Sequence, residues 1–177
     1  MKQNSKIAMC GVISALGIAI MLLAYFPYFT YLAGAVAGFL TVIVVAETDK
    51  KWALATFIVT GLLSLFFAET EAKIMYLLFF GYYPILKICI ENIKSKTVQY
   101  IIKFTLFNCA VVGAYSLLTF VFGLPPEILP KYGIYGIVGI LLLANVTFYI
   151  YDIALVRMAG IYMYRVHPSV KKIFKSR

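Results

Sequence analysis

Histidine and tryptophan occur once each in this 177-residue chain, acidic residues seven times and cysteine three times, and each scarcity removes a class of function. A single histidine, His167, standing before Pro168 in a basic tail, cannot supply the convergent acid, base or metal groups that an active site needs. It reads as a solvated tail residue. Cys10, Cys89 and Cys109 show no C-x-x-C spacing, so neither disulfides nor a metal site are expected. The patterns G-x-x-x-x-G-K-[ST], H-E-x-x-H and G-x-S-x-G are all missing. The chain is therefore not expected to be an enzyme, to hydrolyse ATP itself or to hold a cofactor. Polar stretches are missing as well: 63% of residues are hydrophobic and 13% charged, which leaves no segment for a separate soluble domain.

What remains is apolar sequence in six long runs, at 7–27, 31–46, 52–68, 74–93, 101–123 and 133–156, followed by a basic tail over 157–177. At about 1.5 Å per residue each run approaches or exceeds the ~30 Å of a bilayer's hydrocarbon core. The expected fold class is all-α, a polytopic membrane protein of six transmembrane helices forming one domain over 1–177. Charge sets the orientation. With the N-terminus inside, all sixteen Lys and Arg residues except Lys73 and Lys131 fall in inner connections and tails. The positive-inside rule then places both termini in the cytoplasm. The net charge of +9 thus reads as topology and as attraction to anionic lipid heads rather than as nucleic-acid binding. Lys2 and Lys6 before an apolar run also suit a signal peptide, but that run continues through Tyr25 and Phe26 and five more follow, which favours an uncleaved first helix.

The outer connections are short: Pro27 to Thr30, Glu69 to Lys73, and Leu124 to Tyr132. Three prolines in the last make it a stiff rim. Inside, Glu47 to Lys51 forms a tight turn, and Lys87 and Glu91, one turn apart, are placed to pair.

Three features are candidates for function. Gly11, Ala15 and Ala19 recur every four residues on the first helix, drifting only about 40° per step. Such a stripe lets another backbone approach closely in lipid, either a neighbouring helix of the same chain or a partner protein. Gly34 and Gly38 form a second such pair. At the outer surface Tyr25, Phe26, Tyr28, Phe29 and Tyr31 gather at the first turn, with Tyr76, Tyr115, Tyr132 and Tyr135 on later helices and Glu69, Glu71 and Lys73 beside them. Together they make either an aromatic-lined ligand cup with a few orienting polar groups or the interfacial belt common to membrane proteins. Within the spans, Pro84 predicts a kink of the fourth helix. Asn108 and Asn145 reach similar depths on antiparallel neighbours and predict an interhelical amide pair, with a ligand or ion contact as the alternative. Asp152, near the inner end of the sixth helix, is expected to be solvated or to meet Lys103 or Arg157, with a proton relay as the alternative.

Six helices, cytoplasmic termini, no ATPase motif and a first helix reading Ala8-Met9-Cys10-Gly11-Val12-Ile13-Ser14-Ala15-Leu16-Gly17-Ile18-Ala19 resemble the substrate-binding S component of an energy-coupling factor transporter, an ABC-type importer. The resemblance covers the whole chain in architecture and one short motif in sequence. It implies that Ala15 and Ala19, with Gly11 one step earlier, match the A-x-x-x-A pattern that docks on a transmembrane coupling subunit, itself driven by two cytoplasmic ATPases. It further implies a bacterial cell membrane and capture of a vitamin or other trace nutrient from outside, in a pocket formed by the first outer loop and helices 4 to 6, where the aromatic set lies. No substrate-defining signature is present. Two other classes fit the same sequence: a scaffold or assembly protein of the cell envelope, whose first helix binds a protein partner and which has no ligand, and a small stand-alone secondary transporter, which would show inverted repeats and ionisable groups at mid-membrane.

Overall fold

A computed structural model describes residues 3–26, 28–121, 123 and 129–168, with backbone alone for 129–134 and 137. The described residues contain no strand. The helices are α1 (Gln3–Met21, prolonged by a 3-10 turn, Leu22–Tyr25), α2 (Thr30–Glu47), α3 (Lys50–Phe67), α4 (Thr70–Met75), α5 (Tyr83–Ile90), α6 (Lys96–Phe120) and α7 (Leu129–Ile161). A π-helical turn, Tyr76–Phe80, joins α4 towards α5, and a second one, Tyr162–Val166, ends α7. Among the described residues six helical stretches are long and apolar enough to cross a membrane, the fourth being Thr70–Ile90. This is the architecture of a multi-pass membrane protein. The end that holds Gln3 and His167 is termed basal below, and the other distal.

At their starts the helices outrun the apolar windows that announce them. The third span starts at Lys50 rather than at 52, the fourth at Thr70 rather than 74, and the fifth at Lys96 rather than 101. Backbone hydrogen bonding does not stop where polarity begins, and first-turn positions tolerate charged and capping residues. Glu69 shows this directly: its carboxylate accepts from the Ala72 N–H at 3.0 Å and caps α4, with Glu71 in the first turn, where a carboxylate also suits the helix dipole. The stretch expected as an outer loop is therefore a capped helix start. The stiff connection expected over Leu124 to Tyr132 is shortened in the same way. α7 begins at Leu129, with Pro130 in its first turn, where the missing N–H costs nothing; residues 124–128 and the side chains of Lys131 and Tyr132 lie outside the described residues.

The fourth span is broken rather than kinked. Gly81 N–H reaches back five residues to the Tyr76 carbonyl at 2.8 Å, and the chain turns through Gly81 and Tyr82 before α5 restarts. Pro84 sits in the first turn of α5, so the irregular backbone lies one turn before the proline, not around it. Irregular backbone inside a bundle needs substitute partners. The Tyr82 hydroxyl donates to the Leu78 carbonyl, and the Thr41 hydroxyl donates to the Gly38 carbonyl at 2.7 Å while lying 3.5 Å from that of Gly81.

Small residues let α2 lie against this break. A Cβ on Gly38 would fall on the Phe80 carbonyl, and one on Gly34 would meet the Phe80 ring at 3.2 Å. The Gly34–Gly38 pair is thus internal packing. Around the break the core is aromatic. Phe79 stacks on Tyr83 (4.6 Å) and meets Phe107 and Phe148 edge-on (5.2 and 5.5 Å), while Phe107 and Phe148 stack nearly parallel at 4.6 Å. These rings tie the fourth span to α6 and α7 with offset and T-shaped contacts, the favourable geometries for ring pairs.

Glycine environment predicts two opposite outcomes. Gly38→Ala is expected to cost about 1–3 kcal/mol by overpacking. Gly11→Ala, with nothing within 4 Å of the added carbon, should leave stability unchanged or slightly raised. Thermal unfolding of both variants in one detergent checks this, and an equal loss at the two positions would contradict the packing described.

Candidate functional site

The structure divides the distal aromatic set. Tyr28 and Tyr135 are 99% and 92% exposed, and Tyr25, Tyr31 and Tyr115 are exposed as well. Among the described residues none of these five rings touches another of them. Such rings, each on its own at one end of a helical bundle, have the placement of an interfacial belt. Tyr76 goes the other way: it is fully buried, against Phe57 with ring centroids 5.9 Å apart, as part of the core. Of the polar partners, Glu71 accepts from the Tyr31 hydroxyl at 3.2 Å, joining the starts of α2 and α4, Glu69 is engaged as the cap, and Lys73 lies half-buried in the last turn of α4. One backbone feature stands out here. Tyr28 has φ of 71°, a left-handed conformation that non-glycine residues adopt at a cost of about 1–2 kcal/mol.

The stripe on α1 faces outward. Gly11, Ala15 and Ala19 are all exposed, whereas the face of α1 turned to α2 and α3 carries Ile13, Ser14, Gly17 and Met21. A Cβ on Gly17 would lie 3.1 Å from Thr60, so close approach of α1 to α3 uses Gly17, not the stripe. Of the two readings of the stripe, packing within the chain is the one the structure removes.

The most polar site lies where α5, α6 and α7 meet. Lys87, Lys103 and Asp152 are 5%, 4% and 6% exposed. The Asp152 carboxylate accepts from Lys87 and from the Tyr83 hydroxyl on Oδ1, and from Lys103 at 3.0 Å on Oδ2; Lys87 also donates to the Asp152 backbone carbonyl at 3.1 Å. Glu91 closes the ring of charges, its Oε1 lying 3.0 Å from both lysine Nζ atoms. Two cations and two carboxylates alternate, so the cluster is neutral as a whole, the condition under which buried charge is tolerated. The expected pairing of Lys87 with Glu91 and the meeting of Asp152 with Lys103 are both found. Sequence reasoning missed that they form one cluster, that it is buried, and that Tyr83 belongs to it. Asp152 is not near a helix end, because α7 runs on to Ile161. One signal was available: Tyr83, Lys87 and Glu91 repeat every four residues and so share a face of α5.

The predicted amide pair is present, and reciprocal. Asn108 Nδ2 donates to Asn145 Oδ1 at 2.9 Å and Asn145 Nδ2 to Asn108 Oδ1 at 3.1 Å. In lipid such a pair couples helices by about 0.6–1.7 kcal/mol. At the basal end His167 is not a solvated tail residue. Its Nδ1 lies 2.8 Å from Glu47 Oε1, which also accepts from the Tyr162 hydroxyl at 2.7 Å. Facing a carboxylate, that nitrogen acts as donor. The unexpected contact follows from the length of α7, whose closing π turn carries His167 back onto the end of α2. Lys6 and Asp49, 2.8 Å apart, join α1 to the start of α3 at the same end, and Lys6 holds the Asp49 carboxyl below the usual carboxylate range.

No protein-family model, no curated protein and no solved structure matches the chain.

Asymmetry is the expected mark of the charge cluster. Asp152→Leu leaves two buried lysines with Glu91 alone and should cost about 3–5 kcal/mol, whereas joint replacement of Lys87, Lys103 and Asp152 by Met, Met and Leu should recover most of it. Unfolding midpoints of the two variants against wild type decide the matter. A triple variant weaker than the single one would mean that the charges contribute net stability.

Proposed function

We propose that this chain is the substrate-capturing membrane subunit of an energy-coupling factor type importer. In this reading it binds a vitamin or other trace nutrient from outside and docks through α1 on a transmembrane coupling subunit that two cytoplasmic ATPases drive. The observation that carries the reading is the outward stripe Gly11, Ala15, Ala19 on the first of six spanning helices. Internal packing has no use for it, and side chains this small permit backbone approach by a partner helix. The distribution of Lys and Arg supports a cytoplasmic basal end, which sets the distal residues Tyr25, Tyr28, Glu69, Glu71, Lys73, Tyr115 and Tyr135 towards the source of substrate. Tyr76, which directly follows α4, is buried in the core beneath them. The chain itself acts as a binding subunit, not as an enzyme.

The buried Lys87–Asp152–Lys103 cluster favours a second reading, a stand-alone secondary transporter, because ionisable groups enclosed by spanning helices commonly serve ion coupling. Its complete internal neutralisation and its Tyr83 hydrogen bond equally suit a fixed structural joint. Uptake that persists without the ATPases and collapses with the proton gradient would favour the transporter.

Two measurements test the proposal. Native mass spectrometry of the detergent-purified protein from cells grown in rich medium should show a bound vitamin-sized molecule; an apo spectrum, even after incubation with mixed vitamins, would favour the envelope scaffold. Ala15→Trp or Ala19→Trp should abolish co-purification with the coupling subunit while leaving ligand mass and thermal stability unchanged. Undiminished co-purification would remove the docking role of α1.

A further inference from the structure

Three buried hydroxyls have no hydrogen-bond partner within the protein: those of Ser14, Tyr76 and Tyr151. A hydroxyl left so loses its hydration and gains nothing in exchange. The core around the two tyrosines accepts plain rings, since Phe57 packs on Tyr76 and Phe80 on Tyr151. Phenylalanine at 76 and 151 would fill the same space without that penalty. The tyrosines border the broken fourth span. Cε1 of Tyr76 stands 2.9 Å from where a Cβ on Gly81 would fall. The Thr60 hydroxyl lies beside that of Tyr76 without a direct hydrogen bond between them, and Tyr76 in turn bears electrostatically on Tyr151. Ser14 lies with Gly17 on the face of α1 turned to α3, where a Cβ on Gly17 would meet Thr60 at 3.1 Å. Thr60 is about 15 Å along α3 from its basal start at Lys50, by the helical rise, which puts these hydroxyls near mid-membrane.

The break leaves an acceptor at the same depth. Pro84 has no N–H, and the N–H groups of Ile85 and Leu86 both go to the Tyr82 carbonyl. The Gly81 carbonyl therefore lacks a donor from the helix that follows and has the Thr41 hydroxyl at 3.5 Å. Freed backbone groups inside a membrane are tolerated where ordered water or neighbouring side chains take them up.

We infer that the protein binds an internal water at mid-membrane, beside the break, between the hydroxyls of Tyr76, Thr60 and Tyr151. Three hydroxyls meet a buried water's need for two to four polar partners, and each can donate or accept. The set carries no formal charge, which suits water rather than an ion. The water also has a structural task. Direct side-chain hydrogen bonds between the first three helices and the later ones lie at the two ends of the bundle. Tyr31 meets Glu71 distally, while Glu47 meets Tyr162 and His167, and Lys50 meets Cys89, basally. Between those ends the long Thr41–Gly81 contact is the one direct link among the described residues. A water on Thr60, Tyr76 and Tyr151 joins α3 to the fourth span and α7 at that level. It serves the bundle whether or not a substrate is carried, so its test stands apart from that of the proposed function.

Hydroxyl-radical footprinting with mass spectrometry, on the full chain in lipid nanodiscs, reads the water directly, because radicals formed from a bound water label the side chains against it. Tyr83, equally buried but bonded to Asp152, is the dry control, and exposed Tyr135 reports bulk solvent. Tyr76 and Tyr151 are expected to be labelled several-fold more than Tyr83. After mixing into heavy-oxygen water, their label should retain ordinary oxygen far longer than that of Tyr135. Labelling of Tyr76 no stronger than that of Tyr83 would overturn the site. Exchange as fast as at Tyr135 would overturn it as well, since that means open access to solvent rather than a bound water. Tyr76→Phe should lower the Tm by about 2–4 °C and weaken the label at Tyr151; a raised Tm would mean that the hydroxyl had no partner and would end the proposal.

Discussion

One carboxylate organises the polar interior of this protein. Asp152 accepts from Lys87, Lys103 and Tyr83 at once, drawing together three helices that share few other polar contacts. Its charge is stable there because both lysines stand against it and because Glu91 returns the remaining negative charge. The aromatic core depends on the same joint. Tyr83 gives its hydroxyl to Asp152 and its ring face to Phe79, so the register that satisfies the carboxylate also sets the stack on which Phe107 and Phe148 close. Displacing α5 by one residue would turn Tyr83 and Lys87 away from Asp152 by about 100° and take the rings with them.

The broken fourth span is the complement of that joint. Glu69 and Glu71 fix its distal start by a cap and by a hydrogen bond from Tyr31, and α5 is fixed at the basal side by the cluster. Between two pinned ends, the π turn takes up the mismatch in rotation, as single π turns inside helices commonly do. α2 can follow the irregular backbone only because Gly34 and Gly38 offer no side chain. Chemistry at one end of the span and smallness on the neighbouring helix are thus parts of one packing solution.

How much of this was legible depends on whether a residue's role is local. Six spans, their order and the amide pair could be read because hydropathy and depth along a helix are properties of sequence spacing alone. Pro84 announced an irregularity but placed it a turn late, since a proline marks where a helix can restart as readily as where it bends. The pairs Lys87–Glu91 and Lys103–Asp152 were foreseen separately. That they close into one buried ring was not, because burial depends on how α5, α6 and α7 cross. His167 was misread for a related reason: its partner Glu47 is distant in sequence, and no local pattern connects them. The distal tyrosines illustrate the opposite limit. Their clustering in sequence is real, yet among those whose side chains are described all but Tyr76 face outward and Tyr76 turns into the core, a distinction set by helix rotation that composition does not carry.

The charge ring also imposes an order in time. A ribosome delivers helices from the N-terminus, so Lys87 and Lys103 are committed to their helices before Asp152 has been made. During that interval Glu91, four residues after Lys87 and reached by Lys103 from across the short turn between α5 and α6, is the one carboxylate of the ring already present. It can hold both ammonium groups until the last helix arrives. Glu91 is therefore the carboxylate of the ring that can neutralise both lysines before the last helix is added, and it is the one member of the ring that stays exposed in the finished protein.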